Sequence, residues 1–368
     1  MSGLNMLDLF SGIGGFHEGF KRAGYQFDWV GFSEIDKYAS AVYKYNYKES
    51  EELGDITAIR PERDLPDNID ILCGGFPCQA FSMAGKRLGF DDTRGTLFFE
   101  IARILTHYRE KRRPIKCLVL ENVKGLLSHD DGRTFATIYR VLNNLGYTIE
   151  FQLLNTRWWL PQNRERIYIV GYIGDRGRPQ VFPIGEDGER NNEKRFSGKT
   201  TTGHKQGMLN SKDRRRRAML RGSEKIEEVQ RKYKVVDALY KNRQQRDYKS
   251  CVPTLRKNSG NLQVQPVLTP NRAEKRQNGR RFKEDGEDMF TLTQQDQHEV
   301  KINTSIRRLT PVECMRLQGF ADNHNEYGII DDKVVEISDT QRYKQAGNAV
   351  TVDVVWAVAT IIKEKELL

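Results

Sequence analysis

The chain has 368 residues and a mass of 42.6 kDa, which predicts two domains at roughly 150 residues per domain. Its composition, 38% hydrophobic and 30% charged residues, excludes a disordered or collagen-like chain, and no uncharged apolar run approaches the ~18 residues that a membrane span needs. The net charge of +10 favours a polyanionic partner, and the N-terminus has no secretory pattern, so we expect a cytoplasmic protein without membrane contact.

From Leu4 to Gly171, short apolar runs alternate with longer helical stretches, the pattern of a parallel sheet covered by helices. The predicted strands are, in chain order, Met6–Phe10, Phe27–Ser33, Ile69–Cys73, Lys116–Glu121, Thr148–Asn155 and Arg166–Tyr172. The predicted helices are Phe16–Ala23, Ser40–Tyr47, Thr96–His107, Arg133–Leu145 and a final helix over Thr351–Glu366. The first half of the chain is therefore predicted to be an α/β domain.

The basic excess belongs to one segment of the chain. Residues Gly174–Ser305 contain 30 Lys and Arg against 18 Asp and Glu, a net charge of +12, so the rest of the chain is net −2. The segment has few long apolar runs and includes three basic clusters, Lys212–Arg217, Arg231–Lys234 and Arg280–Arg281. It is typical of a separate, irregular module. By itself the charge fits a solvated surface as well as nucleic-acid binding, and both interpretations stay open at this point.

A glycine-rich turn follows the first predicted strand. In Asp8–Phe16 the missing side chains let the backbone approach a ligand closely. His17 occupies the place of the third glycine in G-x-G-x-x-G, so the pattern favours an adenosine-bearing molecule other than a dinucleotide. Glu34 ends the second strand, where a carboxylate accepts hydrogen bonds from ribose hydroxyls. Asp55 could accept from an adenine amino group or cap a turn.

Cys78 lies on a loop that follows the third predicted strand, within Gly74–Ser82. This loop is expected at the carboxyl edge of the sheet, beside the glycine-rich turn, where α/β proteins bind their ligands. Glu121 ends the next strand and brings a carboxyl group to the same edge, near enough to pair with a substrate ring that the thiol attacks. The other cysteines form no C-x-x-C pair and are interpreted as reduced, buried thiols that bind no metal: Cys73, Cys117, Cys251 and Cys314.

Two arginines lead into the last strand of this half. In Gln162–Arg166, strand alternation aims Arg164 and Arg166 toward one face of the sheet. Two arginines on one face are typical of a salt bridge or of a phosphate contact. The residue types alone do not decide between the two.

Together these motifs resemble those of the bacterial cytosine-C5 DNA methyltransferases. The similarity covers Leu4–Tyr172 and the chain from Ser305 onward. Six elements occur in the family's order. F-x-G-x-G corresponds to Asp8–Phe16, P-C-Q to Phe76–Ser82, E-N-V to Glu121–Val123 and Q-x-R-x-R to Gln162–Arg166. R-x-L-T-P-x-E-x-x-R-L-Q-G-F corresponds to Arg308–Phe320, and the last cofactor element to Gln345–Val350. Ala321 replaces a proline that often follows the last phenylalanine, a departure that touches the hinge region and not the catalytic assignment.

The resemblance implies an α/β fold with a Rossmann-like sheet that binds S-adenosyl-L-methionine, and a second, smaller, irregular and basic target-recognition domain. It assigns residues 1–175, completed by 335–368, to the catalytic domain, and residues 176–334, with a junction element at 305–320, to target recognition. The cofactor-binding residues that it implies are Phe10, Ser11, Gly12, Gly14, Gly15, Glu34, Ile35, Asp55, Ile56, Pro77, Leu97, Asn348 and Val350.

The resemblance also implies a mechanism. Cytosine C5 is a poor nucleophile, so the Cys78 thiolate adds to C6 and converts the ring into an enamine that attacks the sulfonium methyl group. Glu121 hydrogen-bonds N3 and the exocyclic amine, while Arg166, assisted by Arg164, holds O2 and the active-site loop. The sequence does not identify the base that removes the C5 proton. The cytosine must first rotate out of the duplex, and Ser82–Gly95 is interpreted as a lid that closes over it.

We therefore expect a monomeric DNA (cytosine-5-)-methyltransferase that acts on a specific sequence in double-stranded DNA. A restriction-modification or phage context is expected, with a cognate restriction endonuclease as a candidate partner. Two alternatives stay open. One branch of the family methylates transfer RNA, but its variable region is much shorter than the segment of about 130 residues here. A non-catalytic DNA-binding protein with the same fold would not need the four catalytic residues that are present, Cys78, Glu121, Arg164 and Arg166.

Overall fold

The computed structural model describes residues 3–77, 97–174, 181–184, 264–268, 281–294, 297–302 and 305–368. All statements about structure concern these ranges. Several predicted features lie outside the described residues: Cys78, the lid Ser82–Gly95, the basic clusters Lys212–Arg217 and Arg231–Lys234, Cys251 and Arg280.

The contacts within the chain divide it into two compact units. The first combines Met1–Val181 with Lys249–Leu368, and the second is Phe182–Tyr248. The predicted division into a catalytic part, 1–175 with 335–368, and a target-recognition part, 176–334, stays a prediction. Of the second unit only Phe182–Ile184 are described, so the elements and sites below all belong to the first unit.

A seven-stranded sheet forms the centre of the first unit. Its strands β1 to β7 are, in chain order, Leu4–Leu9, Phe27–Ser33, Glu51–Glu52, Ile71–Gly75, Cys117–Val123, Tyr147–Asn155 and Glu165–Ile173. Their spatial order is β3-β2-β1-β4-β5-β7-β6, so the direction of winding reverses between β1 and β4. In open α/β sheets, ligands bind outside the carboxyl ends of the strands at such a reversal. The glycine-rich turn follows β1 at this point, and Phe76 and Pro77, which precede Cys78 in the sequence, follow β4.

The predicted parallel α/β sheet is confirmed for β1 to β5, and the last two strands differ. β7 pairs antiparallel with both β5 and β6. Only residues 156–164 connect β6 to β7, and a parallel crossover needs about a dozen residues or more. An antiparallel return is therefore the pairing that this short connection permits.

Helices surround the sheet. Helices α1 to α8 are, in chain order, Gly15–Arg22, Lys37–Asn46, Pro61–Asp64, Leu97–Glu110, Arg133–Asn144, Pro311–Leu317, Asp339–Asn348 and Val352–Glu364. The predicted final helix is confirmed as α8. α2 begins three residues earlier than predicted because the Asp36 side chain caps it: Oδ1 accepts hydrogen bonds from the N–H groups of Tyr38 and Ala39, both at 3.0 Å.

Buried apolar clusters hold these layers together, and two of them are extensive. One lies between the sheet and helices α4 and α5, and includes Leu7, Phe98, Leu118 and Leu142. The other joins α2, α6 and α7 to the segment 289–300, which the sequence had placed in the irregular module. That segment is also tied to the β6–β7 connection, since the Met289 N–H donates to the Pro161 carbonyl and the Asn163 N–H donates to the Met289 carbonyl, both at 2.9 Å.

Two small antiparallel sheets, which the sequence did not predict, complete the described fold. One contains β8 to β10, Val264–Leu268, His298–Ile302 and Ser305–Arg308. The other is a hairpin of β11 and β12, Tyr327–Ile330 and Lys333–Glu336. The hairpin packs on α2: a Cβ on Gly328 would lie 2.9 Å from the Cβ of Ala41.

One described stretch, Asp339–Glu364, is long and apolar enough to cross a membrane by length and composition. It consists of α7 and α8, which residues 349–351 separate. Of its most apolar window, 67% is buried within the protein. A core helix of a protein that does not enter a membrane has the same features, so this stretch is weak evidence for a membrane span.

Candidate active site

The turn after β1 brings backbone N–H groups to the carboxyl edge of the sheet. Phe10 and Gly12 both have positive φ, 53° and 54°, and the Gly12 N–H donates to Glu34 Oε2 at 2.8 Å. No described atom lies within 4 Å of the position that a Cβ would take on Gly12, so the turn leaves open space there. Glu34 Oε1 accepts hydrogen bonds from the N–H groups of Ile35 and Asp36 at 2.9 and 2.8 Å. The Glu34 carboxylate is therefore fixed at the start of α2.

A cavity of about 400 Å³ opens at this edge. It brings together predicted site residues from distant parts of the chain: Phe10, Gly12, Glu34, Pro77, Glu121, Arg164, Arg166 and Asn348. Its other lining residues are Ile13, Asp36, Ala39, Gly75, Phe76, Asn122, Val123, Lys344, Gln345 and Gly347. The predicted nucleophile, Cys78, follows Pro77 directly but lies outside the described residues. The volume is within the range of about 300–1,000 Å³ that is usual for small-molecule sites.

Three predicted cofactor residues belong to the turn without lining the cavity, and a fourth, Val350, packs against the turn. Ser11 is buried, and its Oγ has no hydrogen-bond partner among the described residues. Gly14 is the N-cap of α1, with φ 87°. Gly15 permits a close approach, because a Cβ there would overlap Val350 Cγ1 and lie 2.9 Å from the Val350 carbonyl oxygen. Gly14, Gly15 and Val350 therefore support the turn, and Ser11 Oγ is left as a buried polar atom beside it.

The remaining predicted cofactor residues lie in three different environments. Ile35 is 79% exposed and follows Glu34 directly. The Asp55 Oδ1 accepts from the Thr57 N–H at 2.9 Å, which is the turn-capping role that the sequence left open. Ile56 is buried in the core between the sheet and α4 and α5, and Leu97 packs against the same core from the start of α4.

Glu121 and Arg166 form an ion pair within the cavity. Arg166 Nε lies 3.1 Å from Glu121 Oε1, with the two side chains 18% and 12% exposed. Gly75, opposite Glu121 on β4, makes room for the carboxylate, since a Cβ there would lie 3.2 Å from Glu121 Oε2. Burial raises the pKa of Glu121 above its ordinary value, against the opposing charges of Arg166 and Arg164. A carboxyl group with a raised pKa can donate a proton to a ring nitrogen as well as accept from an amine.

Arg164 also lines the cavity, but its guanidinium binds backbone carbonyl groups. Nη1 donates to the carbonyls of Leu292 at 3.1 Å and Gly347 at 3.4 Å, and Nη2 donates to that of Ala349 at 2.9 Å. Its Nε has no partner among the described residues. Burial first, and then repulsion from Arg166, lowers the pKa of Arg164 to about 10. Arg164 thus joins the sheet to α7 and to the segment before β9, while Arg166 makes the contact with Glu121.

The sequence assigned no role to Gln162, although it begins the same motif. Gln162 is fully buried, and its Nε2 donates to the Leu317 carbonyl at 2.9 Å while its Oε1 accepts from the Leu292 N–H at 3.3 Å. It therefore ties the end of α6 and the segment near Leu292 to the β6–β7 connection. The only sequence signal for this role was the glutamine of Q-x-R-x-R. Its hydrogen-bond partners lie more than a hundred residues further along the chain, so local spacing could not reveal them.

The last predicted cofactor residue, Asn348, ends α7. Its side chain is exposed, and Nδ2 donates to Gln294 Oε1 at 3.4 Å. The cavity therefore has two chemically different regions. The glycine-rich turn and Glu34 offer N–H groups and a carboxylate, and the Glu121–Arg166 pair offers donors and acceptors for a planar polar ring.

Almost the whole chain is similar to one family of known proteins. Residues 4–364 match the family model described as C-5 cytosine-specific DNA methylase. The chain belongs to this family. Its members are enzymes that methylate cytosine in DNA, as the motifs indicated, and the sequence prediction of the family, the enzyme class and the reaction is confirmed.

Relatives of the family are similar along almost the whole chain. Type II methyltransferase M1.ScrFI of Lactococcus lactis subsp. cremoris is 40% identical, covering 96% of this chain and 76% of its own length. Type II methyltransferase M.SsoII of Shigella sonnei is 37% identical, and the similarity covers 96% of this chain and 78% of that protein. Orphan methyltransferase M.SPRI of Bacillus phage SPR is 33% identical, covering 97% of both chains.

Solved structures of DNMT2 proteins share the fold. The Spodoptera frugiperda DNMT2 structure has a TM-score of 0.54 at 18% identity, covering 98% of this chain and 99% of its own. The S. pombe Dnmt2 methyltransferase has a TM-score of 0.56 at 16% identity, and the match covers 98% of this chain and 99% of that one. The predicted Rossmann-like methyltransferase fold is therefore confirmed.

Proposed function

We propose that this chain transfers a methyl group from S-adenosyl-L-methionine to C5 of a cytosine in a specific double-stranded DNA sequence. The observation that carries the proposal is one cavity at the winding reversal of the sheet. That cavity holds Glu34, fixed by backbone N–H groups, together with the Glu121–Arg166 pair, and Pro77 leads from its wall into the Cys78 loop. A donor site and an acceptor site thus adjoin, as direct transfer between two bound molecules requires.

The residues of the turn fit an adenosine-bearing cofactor. The Glu34 carboxylate has about four acceptor sites, of which three are bonded to N–H groups, and the remaining site can accept from a ribose hydroxyl. The exposed Ile35 side chain offers an apolar surface for a purine ring next to that ribose. Ser11 Oγ is a buried hydroxyl that a polar ligand group would satisfy, and Gly12 leaves room for the ligand to approach the backbone. S-adenosyl-L-methionine, when bound, supplies the methyl group on an electrophilic sulfonium.

Cys78 is proposed as the nucleophile. Its thiolate would add to cytosine C6 and shift the C5–C6 electron pair toward C5. C5 would then bond to the methyl carbon as that carbon's bond to the sulfonium sulfur breaks, which would release S-adenosyl-L-homocysteine. A base then removes the C5 proton, and the sulfur leaves C6 to restore the ring. The other described thiols are unsuited to this role, since burial raises the pKa of Cys117 and Cys314 to about 12 and that of Cys73 well above its ordinary value.

Glu121 and Arg166 are proposed to hold the cytosine ring. The raised pKa of Glu121 favours a carboxyl group that donates to N3 and accepts from the exocyclic amine, which stabilises the negative charge that nucleophilic addition places on the ring. Arg166 orients this carboxyl group through its Nε and has further N–H groups available for O2. Arg164 is proposed to act on the site as a positioning residue, because its donors are used on the carbonyls of α7 and of Leu292.

Double-stranded DNA is the proposed substrate, and residues 176–334 are proposed to recognise the target. A stacked cytosine cannot present C6 to a thiol, so the base must leave the helix, which costs a few kcal/mol that phosphate contacts offset. The basic excess of Gly174–Ser305 is suited to those contacts. The names of the relatives, which are type II and phage methyltransferases, support a restriction-modification or phage context. A monomeric enzyme with a cognate restriction endonuclease as candidate partner is part of the same proposal.

A two-step experiment tests the proposal. Bisulfite sequencing of DNA from cells that express the protein identifies the modified base and its sequence context. A duplex carrying 5-fluorocytosine at that position should then form a covalent complex with the wild-type protein and S-adenosyl-L-methionine, because fluorine at C5 prevents the elimination that releases sulfur. Cys78→Ser should form no complex yet bind the same duplex.

The control variant is Cys314→Ala, which removes a buried thiol and should trap normally. A complex formed by Cys78→Ser would contradict the nucleophile assignment. Methyl transfer to transfer RNA in place of duplex DNA would support the RNA alternative, and duplex binding without any transfer would support the non-catalytic one.

A further inference from the structure

An ion pair to which the sequence assigned no role lies in the cavity wall. Lys344 Nζ is 2.5 Å from Asp36 Oδ2, and both residues line the cavity. The pair is half-buried, with the side chains 42% and 25% exposed. Burial raises the pKa of Asp36, but the hydrogen bond and charge of Lys344, together with the N–H groups of Ala39 and Tyr38, outweigh burial and hold the pKa below its ordinary value. Asp36 is therefore a carboxylate whose second oxygen is bound by Lys344 while the first caps α2.

The pair joins two walls that are far apart in sequence. One wall is the start of α2, where Glu34 and Asp36 lie, and the other is α7, which supplies Lys344. A second hydrogen bond joins the same helices, from Gln345 Nε2 to the Tyr38 carbonyl at 3.1 Å. Asp36 and Lys344 are thus part of a two-point connection between α2 and α7 across the cavity.

Asp36 also connects Lys344 to the carboxylate that is proposed to bind ribose. Its N–H donates to Glu34 Oε1 at 2.8 Å, while its side chain binds Lys344. Glu34 in turn accepts from the Gly12 N–H. A continuous series of hydrogen bonds therefore runs from the glycine-rich turn through Glu34 and Asp36 to α7, and a shift of α7 would change the position of Asp36 and with it the setting of Glu34.

We propose that Lys344 and Asp36 are a positioning pair that sets the affinity for the cofactor by holding the α2 and α7 walls at a fixed separation. The inference rests on the proposed function, because it takes S-adenosyl-L-methionine as the occupant of the cavity. A half-exposed ion pair contributes little to the stability of the whole fold. It acts on binding because a wall that is already ordered loses less conformational freedom when the ligand enters.

The test measures dissociation constants by isothermal titration calorimetry on the full chain, for S-adenosyl-L-methionine and for its product S-adenosyl-L-homocysteine. Lys344→Met keeps the aliphatic stem and removes the charge, and Asp36→Asn keeps an acceptor for the α2 cap. Each should weaken both ligands about tenfold, the effect of losing one hydrogen bond between charged groups. The double variant should be no weaker than either single variant, and Lys344→Arg should restore binding. KM for the cofactor should rise, while kcat at saturating cofactor and KM for DNA should change less than twofold.

Lys44→Met is the matched control. Lys44 lies on the same helix as the Asp36 cap and pairs with Glu52 at 2.8 Å with similar exposure, 32% and 39%, but neither residue lines the cavity. Its cofactor affinity should equal that of the wild type.

Three results would overturn the inference: affinities of Lys344→Met and Asp36→Asn within twofold of wild type, additive effects in the double variant, or unequal weakening of the two ligands. The two ligands differ in the sulfonium charge, so unequal weakening would mean a direct charge effect in place of wall positioning. If the wild-type protein bound neither ligand, the proposed function would fail instead, and the two failures are therefore distinguishable.

Discussion

Glu121 and Glu165 both pair with a cation near the carboxyl edge of the sheet, yet their surroundings differ. Glu121 is 12% exposed beside Arg166, whereas Glu165 is 40% exposed beside Lys124 at 2.7 Å. A charge interaction gains strength as water is excluded, and an exposed pair contributes little. Only the buried carboxyl group is expected to stabilise charge on a substrate ring, which separates a functional residue from a surface residue of the same type.

Replacing Glu121 by Gln should therefore lower the single-turnover rate of methyl transfer by roughly 10²- to 10³-fold, the usual cost of removing one preorganised group that stabilises developing charge. The matched variant Glu165→Gln should keep the rate within about twofold. The measurement is transfer of a labelled methyl group to the DNA target at saturating cofactor. Equal rates for Glu121→Gln and Glu165→Gln would contradict the assignment.

Two buried histidines make stability depend on pH. His17 and His324 are 8% and 6% exposed; His17 Nδ1 lies 3.0 Å from the Tyr43 hydroxyl, and His324 Nε2 donates to the Ile13 carbonyl at 2.7 Å. Burial is the main reason that the pKa of each is lowered to about 4. Their neutral forms are thus part of the packing beneath the glycine-rich turn.

The sign of the effect follows from proton uptake. Below the ordinary pKa of 6.5 the two histidines bind protons in the unfolded chain, whereas in the folded state they stay neutral down to about pH 4. The free energy of unfolding therefore falls as pH drops through that interval. Each histidine contributes at most about 3 kcal/mol. Urea unfolding at pH 7.5 and pH 5 should show a smaller pH-dependent loss for His17→Gln and His324→Gln than for the wild type. Identical losses in all three proteins would exclude the histidines as the cause.

At the scale of elements, the packing of α1 near the start of α8 includes a close approach at Gly15. Gly15 starts α1 against Val350, which precedes α8, and a Cβ would meet both a methyl group and a carbonyl oxygen of that residue. A side chain can rotate away, but a backbone carbonyl between two helices cannot. The position therefore requires glycine for packing, not for an unusual φ.

Gly15→Ala should lower the free energy of unfolding by about 1–3 kcal/mol, the usual cost of overpacking. Adding Val350→Ala removes the overlap with Cγ1 but leaves the carbonyl oxygen at 2.9 Å, so recovery should be partial. Gly125→Ala is the control, since its Cβ would lie no closer than 3.9 Å to another described atom. Unfolding in guanidinium chloride gives the free energy of unfolding of all four variants, which include Val350→Ala alone. Full recovery in the double variant would show that the approach to the carbonyl is harmless.

Elements with continuous apolar runs could be predicted from the sequence, and polar ones could not. β2 was predicted at its observed bounds, Phe27–Ser33, because it is buried along most of its length. α7 was not predicted, because D-T-Q-R-Y-K-Q-A-G-N has few apolar residues and is held by side-chain contacts such as those of Gln345. The β8–β10 sheet was missed for a related reason, since β8 and β9 lie in a segment whose charge indicated an irregular module.

The same limit applied to the candidate site. The glycine-rich turn, Glu34 and Glu121 were found because each lies at or just after the carboxyl end of a predicted strand, and parallel strands bring those ends together. Asp36 and Lys344 were missed because their contact joins positions about 300 residues apart, and no local spacing reveals it.

For the whole molecule, the distribution of charge separates two tasks. The segment Gly174–Ser305 carries a net charge of +12, and the rest of the chain is close to neutral. A cavity that binds a small cofactor needs no large field, whereas contact with a DNA backbone releases counterions in proportion to the phosphates that are neutralised. The salt dependence of DNA binding should therefore arise mainly from the basic segment.

Replacing Arg214, Arg215, Arg216 and Arg217 by Gln should make the slope of log K against log salt shallower, by about 0.9 for each phosphate that the variant no longer neutralises. The control removes four cations at and just after the end of α4, with Gln at Arg109, Lys111, Arg112 and Arg113. Its slope should match the wild type. Fluorescence anisotropy of labelled duplex over a salt series gives both slopes, and equal changes in the two variants would mean that only total charge matters.

Arg164 has a consequence for how the enzyme is made. Its guanidinium finds its acceptors on Leu292, Gly347 and Ala349, so the nascent polypeptide carries this cation without them until translation has passed residue 349. Lys344 and Asn348, which complete the wall, emerge from the ribosome at the same late stage. An unfinished chain thus has no assembled pocket, and the capacity to mark a genome arises only after synthesis has advanced that far.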